Sequence, residues 1–165
     1  MAHLFRTSRP GFGRLAMYAA IFVGAAVALN AWIFTSGGSA WSDTLAEPAW
    51  APPGRVVGAV WTGLFALMAA SALLIDRSDL PQKRFDARAG VIAWWLVCVS
   101  WTFFYFALQN VANGFYVTVL AFVLGLPVLW VVSRASLAAT LVLIPLQAWL
   151  GFALALSWRV WRLNA

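Results

Sequence analysis

One cysteine, one histidine and five acids are all that this 165-residue sequence contains of the groups that usually carry chemistry. Each shortage excludes something. Cys98 alone can form neither an internal disulfide nor a cysteine-rich metal site. His3 alone, at the start of the chain, removes the usual general base and the usual metal ligand. The serines therefore have no histidine to activate them. No carboxylate pair lies within an apolar run for acid–base work or proton relay, and no glycine-rich loop precedes a helix to cradle phosphate. Charge is scarce as well. Charged residues make up 10% of the chain and hydrophobic residues 64%, against roughly 25% and 45–50% in soluble domains. Too few polar side chains remain to cover a water-facing surface, so the chain is expected in lipid. The net charge of +6 does not mark a nucleic-acid partner, because the basic residues lie between apolar runs rather than in a continuous stripe.

What the sequence has in abundance is apolar length. Five runs, at roughly 14–35, 55–75, 89–109, 115–133 and 137–158, each approach the ~20 residues that cross a hydrocarbon core. None contains an interior Asp, Glu, Lys or Arg. Backbone groups in lipid must bond within their own segment, so the expected fold is an all-α integral membrane bundle of five transmembrane helices in one domain. The first run follows a basic flank of Arg6, Arg9 and Arg14, as a signal peptide also would, but exceeds the length of a signal core. Within it, Ala20, Gly24 and Ala28 form a small-residue seam suited to close helix packing. Pro127 and Pro145 are expected to kink the last two helices or free a carbonyl toward a neighbour.

The connections are expected to be a long loop at 36–54, a charged loop at 76–88, a short turn at 110–114 and almost nothing at 134–136. Eight Lys/Arg fall on the N-terminal side (Arg6, Arg9, Arg14, Arg77, Lys83, Arg84, Arg88, Arg134) and three on the other (Arg55, Arg159, Arg162). By the positive-inside rule the N-terminus is cytoplasmic and the 36–54 loop lies outside.

That long loop is distinctive. Pro48, Pro52 and Pro53 stop either neighbouring helix from running through it, and Trp41, Trp50 and Trp61 set large amphipathic rings in and beside it. A tether would be rich in Gly and Ser, whereas this composition predicts a semi-rigid lid whose indoles rest on something apolar. In the third run, Trp94, Cys98, Trp101, Tyr105 and Leu108 recur at +4, +3, +4 and +3 and so share one helical face. That stripe serves either a flat aromatic ligand or packing between helices. In the fifth run, Thr140, Gln147, Gly151 and Leu154 share a face, and Gln147 is the one amide at mid-span, suited to a ligand or to an interhelical hydrogen bond. Trp149 follows Pro145 by four. Trp158 and Trp161 with Arg159 and Arg162 read as an interfacial belt.

The lid pattern W-x3-L-x2-P-x-W-x-P-P-x7-W is formed by Trp41, Leu45, Pro48, Trp50, Pro52, Pro53 and Trp61. With W-T-G-L-F-A-L-M-A at 61–69, W-T-F-F-Y-F at 101–106, P-L-Q-A-W at 145–149 and R-L-N at 162–164, it resembles the translocator protein family, also called tryptophan-rich sensory proteins or peripheral benzodiazepine receptors. The likeness covers roughly residues 14–164. It implies a five-helix bundle, often dimeric, that binds porphyrins such as protoporphyrin and haem, and in some members sterols, in a pocket under the first loop. Carried over by position, Trp50, Trp61, Trp101, Tyr105, Phe106 and Trp149 would line or close that pocket, joined by Trp94, Cys98 and Gln147 from the helical faces above. Cys98 stands where the family usually has Asn, Phe103 replaces a Pro, Leu146 a Tyr and Ser157 an Asn, so three hydrogen-bonding groups are lost or shortened. The expected function is that of a bacterial membrane receptor or translocator for tetrapyrroles, with a regulatory or stress-sensing role. Porphyrin or haem is expected as ligand and no cofactor is required. Light- and oxygen-dependent porphyrin breakdown and a structural role in a larger complex are the alternatives.

Overall fold

The computed structural model describes residues 11–78 and 80–165. His3, Arg6, Arg9 and Asp79 lie outside the described residues. Five helices are long and apolar enough to cross a membrane, as the apolar runs demand. In chain order the elements are α1 (Phe12–Thr35), a short α2 (Gly38–Ser42), α3 (Gly54–Asp76), α4 (Pro81–Thr102) passing into a π-helical segment (Phe103–Ala107), α5 (Val111–Ala135) and α6 (Leu137–Leu163). The protein is an integral membrane helix bundle.

Local chemistry sets the ends of these helices. Pro53 precedes α3, and Pro81 opens α4 at a position where the missing N–H leaves no hydrogen bond unmade. Asn110 caps α5 by accepting from the Asn113 amide at 3.0 Å, and Ser136 caps α6 by accepting from the Ala139 amide at 3.2 Å. Two expected loops are therefore mostly helix. The charged stretch 76–88 turns only between α3 and Pro81, so Lys83, Arg84, Asp86 and Arg88 ride on the first turns of α4, beyond the apolar part. The expected turn at 110–114 contracts around Gln109, which takes φ of +47°, and Asn110, which becomes a cap. α5 and α6 continue through Pro127 and Pro145.

α3 is the central element, packing on α1, α4 and α6, while α5 joins α4 to α6. Met68, Ile75, Val91, Trp94, Val132, Leu143, Leu146 and Leu150 form the fully buried middle of the bundle. The face of α1 turned inward carries Tyr18, Phe22 and Ala26. The Ala20–Gly24–Ala28 seam is exposed instead, and a Cβ at Gly24 would meet nothing within 4 Å. The bulky face wins because Phe22 can pack against the Trp95 ring at 5.1 Å.

The end of the bundle away from the long loop is closed by Asp76, at the last turn of α3. Its buried carboxylate accepts from Tyr18 Oη at 2.7 Å and from Arg14 and Arg88 Nη1 at 3.2 Å each. Arg84 Nη1 reaches its backbone carbonyl at 3.2 Å. This one acid ties α1, α3 and α4 together.

Candidate functional site: a cleft beneath the long loop

At the opposite end the bundle does not close. A cleft of about 510 Å³ opens between α1, α3, α4 and α6 under the 36–54 loop. That volume falls within the range of small-molecule sites, roughly 300–1,000 Å³.

The loop is anchored at three points. After Gly37, whose φ of +79° supplies the left-handed turn, α2 lays Trp41 edge-on against Tyr105 and Phe106, with ring centroids 5.1 and 6.4 Å away. Pro48 and Ala51 close a tight turn that sets the Trp50 ring on Phe152 at 5.8 Å. The Asn164 side chain both donates to the Ala46 carbonyl at 3.0 Å and accepts from the Ala46 amide at 2.9 Å. The loop is thus a lid clipped to α4 and to both the middle and the end of α6.

The α4 wall comes from the predicted stripe, with a change at each end. Cys98, Trp101 and Tyr105 line the cleft, and Trp101 stacks on Tyr105 at 4.5 Å. The π-helical segment then admits an extra residue per turn, marked by the Asn110 amide bonding back to the Tyr105 carbonyl at 3.1 Å. Register shifts there: Phe106 turns into the cleft beside Tyr105, while Leu108 is exposed. Trp94 lies deeper and does not line the cleft. It is fully buried, and its indole N–H is committed to the Ala121 carbonyl at 2.8 Å, joining α4 to α5.

The α6 wall is not the predicted face. Trp149, Phe152, Ala153, Leu156, Ser157 and Val160 line the cleft at alternating helical spacing. Gln147 points the other way. Its Nε2 donates to the Phe122 carbonyl at 3.1 Å, and its amide packs against Gly125, where any side chain would strike Gln147 Oε1 and the Trp94 indole. Gln147 and Trp94 therefore bind helices together rather than line the cleft. The remaining predicted residues divide plainly. Trp61 and Trp149 line the cleft, whereas Trp50 is half exposed and covers Phe152 from outside.

The lining is mostly carbon, with a few polar groups. Trp101 gives its N–H to the Gly114 carbonyl at 3.0 Å, and Thr118 gives its hydroxyl to the same carbonyl at 2.8 Å. The Tyr105 hydroxyl makes no hydrogen bond among the described residues. Asp43 and Glu47 bring charge from the lid, and Arg55 brings it from the start of α3. Such a space can bury and stack a flat apolar body while offering polar contacts at its lid end. Arg55, Asn30, Phe152 and the Asn164 clip escaped the sequence reading. Only the R-L-N ending, already matched to the resemblance, could have flagged one of them.

Residues 17–162 match the model of the TspO/MBR family. Protein CrtK of Rhodobacter capsulatus is 32% identical over 91% of this chain and 94% of its own length. Tryptophan-rich protein TspO of Bacillus cereus is 30% identical over 75% and 80%, and that of Chlorobaculum tepidum 27% over 79% and 84%.

Proposed function

The chain belongs to the TspO/MBR family, and from that premise we propose that it is a membrane receptor or translocator for tetrapyrroles, holding a porphyrin or haem in the cleft beneath the lid in a regulatory or stress-sensing role. The observation that carries this reading is the cleft itself: about 510 Å³ between membrane-spanning helices, walled by Trp61, Trp101, Tyr105, Phe106, Trp149 and Phe152. Stacking and apolar burial would supply most of the affinity. The Tyr105 hydroxyl and the Trp149 indole N–H, both in the cleft lining and both without a hydrogen-bond partner among the described residues, are left to donate to the guest, since the N–H groups of Trp94, Trp101 and Gln147 already serve backbone carbonyls.

We place the N-terminus in the cytoplasm on the charge bias of the described residues. Arg14, Arg77, Lys83, Arg84, Arg88 and Arg134 lie at the Asp76 end, against Arg55, Arg159 and Arg162 at the lid end. The lid then faces the far side of a bacterial cell membrane.

Quenching of tryptophan fluorescence by protoporphyrin, titrated in detergent, tests the reading. Trp61→Ala and Phe152→Ala remove rings from opposite walls, and each is expected to weaken binding about tenfold or more. Wild-type affinity in both variants would remove the cleft as the site.

A further inference from the structure

The cleft has a neighbour on the outer side of the bundle. A second, shallower groove of about 280 Å³ lies between α1 and α3, lined by Val27, Asn30, Phe34, Gly54, Arg55, Gly58, Ala59 and Thr62. Five of these residues, Asn30, Phe34, Gly54, Arg55 and Gly58, also line the cleft. The two spaces therefore meet at one junction on the α1–α3 side.

The chemistry of that junction is lopsided. On α3 its wall is Gly54, Gly58, Ala59 and Thr62, all small, so Arg55 is the one long side chain there. The two helices come close at Gly58, where an added Cβ would sit 2.6 Å from Asn30 Oδ1. Asn30 gives one amide N–H to the Ala26 carbonyl at 2.9 Å and keeps its other polar capacity at the junction. Charge is separated across the site. Asp43 and Glu47 line the cleft from the lid but not the groove, whereas Arg55 lines both and is the groove's only charged residue. Among the described residues Arg55 has no ion-pair partner, while Arg14 and Arg88 at the far end share Asp76. An unpaired guanidinium at the α1–α3 lip of an apolar cleft, with the acids on the lid and none on the groove, suits one ligand geometry: an apolar body inside and an acid group at that lip.

Resting on the tetrapyrrole reading, we propose that Arg55 selects guests bearing a carboxylate, which enter between α1 and α3 from the lipid side and leave the acid group at the Arg55–Asn30 junction. A guanidinium sets two parallel donors on the charged oxygens of a carboxylate, whereas an ester offers it only a neutral carbonyl acceptor and no charge to pair. Because Arg55 is exposed, the contribution is modest and falls as salt rises.

The test compares protoporphyrin with its dimethyl ester, binding the full chain in nonionic detergent at low ionic strength, with empty micelles as blank. Wild type is expected to bind the diacid about tenfold more tightly than the ester. Arg55→Gln should bring the diacid down to the ester's affinity and leave the ester unchanged. Arg55→Lys should restore part of the difference, and added salt should weaken only the diacid. Equal affinities for diacid and ester in wild type would overturn the role of Arg55 while leaving the cleft as a tetrapyrrole site. So would a parallel loss of both in Arg55→Gln. Failure of wild type to bind either compound would overturn the cleft reading and this proposal together.

Discussion

The two ends of the bundle solve opposite problems with opposite chemistry. At the Asp76 end, one buried carboxylate receives a phenol and two guanidinium groups from neighbouring helices, and the bundle is filled. At the lid end the walls are rings and small residues, the charges are not paired with one another, and about 510 Å³ stays open. A cleft between helices costs dispersion contacts and invites collapse. Fixing three helices at one end allows space to open among them at the other, where the lid covers it. Under the proposed function, stability belongs to the charged end and binding to the open one, so changes at one end should leave the other's property largely intact.

The largest effect should come from the charged end. Asp76→Ala orphans the Tyr18 hydroxyl and leaves Arg14 and Arg88 facing each other without an acid. Both arginines are partly exposed and can turn to water or lipid headgroups, so the loss should be about 2 kcal/mol rather than the larger figure for a fully buried pair. Thermal unfolding in detergent, followed by tryptophan fluorescence, should shift down by about 5 °C. Protoporphyrin affinity, measured well below the melting range, should stay within about twofold of wild type. A variant that melts normally but loses the ligand would break the division between the ends.

A smaller effect, of opposite kind, is expected at the lid. Asn164→Ala removes both hydrogen bonds to Ala46, and a third to the Val160 carbonyl of its own helix, while leaving every cleft-lining side chain in place. Trp41 and Trp50 would still hold the rest of the lid on Tyr105, Phe106 and Phe152. Two partly exposed bonds contribute about 1–2 kcal/mol to the closed position. The ligand should therefore leave about fivefold to tenfold faster in stopped-flow displacement, with a melting temperature near that of wild type. Faster hydrogen exchange at the Ala46 amide would show that the lid is what moved.

The same contrast explains what could be read from the sequence. Spans of apolar residues announce themselves, since a helix in lipid needs uninterrupted length. Prolines among indoles announce a lid, since they can neither continue a helix nor behave as a tether. Which face of a span looks inward is another matter. In lipid every face of a helix is apolar, so the periodicity that marks the inside of a soluble helix is faint. The α6 face was chosen for its one amide, Gln147, whereas the cleft is lined by the face of Trp149, Phe152 and Ser157. The stripe on α4 faces the cleft from Cys98 to Tyr105 and then loses register, because an extra residue in a π turn leaves no local signature. Asp76 looked like one acid of a charged loop. Its partners Tyr18 and Arg14 lie 58 and 62 positions away, and only the bundle brings them together.

Gln147 gives the smallest and sharpest test of the contrast, because it is a polar group at mid-span that belongs to neither end. Its Nε2 holds the Phe122 carbonyl, but its buried Oε1 has no hydrogen-bond partner. Replacing it by leucine loses one interhelical bond, worth about 0.6 kcal/mol on average in a membrane bundle. The same change removes an unsatisfied acceptor, and burying such a group costs about 1–3 kcal/mol. The Phe122 carbonyl keeps its place within α5, so no new orphan is created. On these figures the relief exceeds the loss, and the strain of fitting a branched side chain beside Gly125 and Trp94 offsets the difference, so Gln147→Leu should melt within about 2 °C of wild type. Protoporphyrin affinity should not change, since the side chain faces α5 rather than the cleft. A fall of tenfold or more with an unaltered melt would return Gln147 to the binding wall and would mean that the guest reaches past Trp149 into the α5–α6 contact.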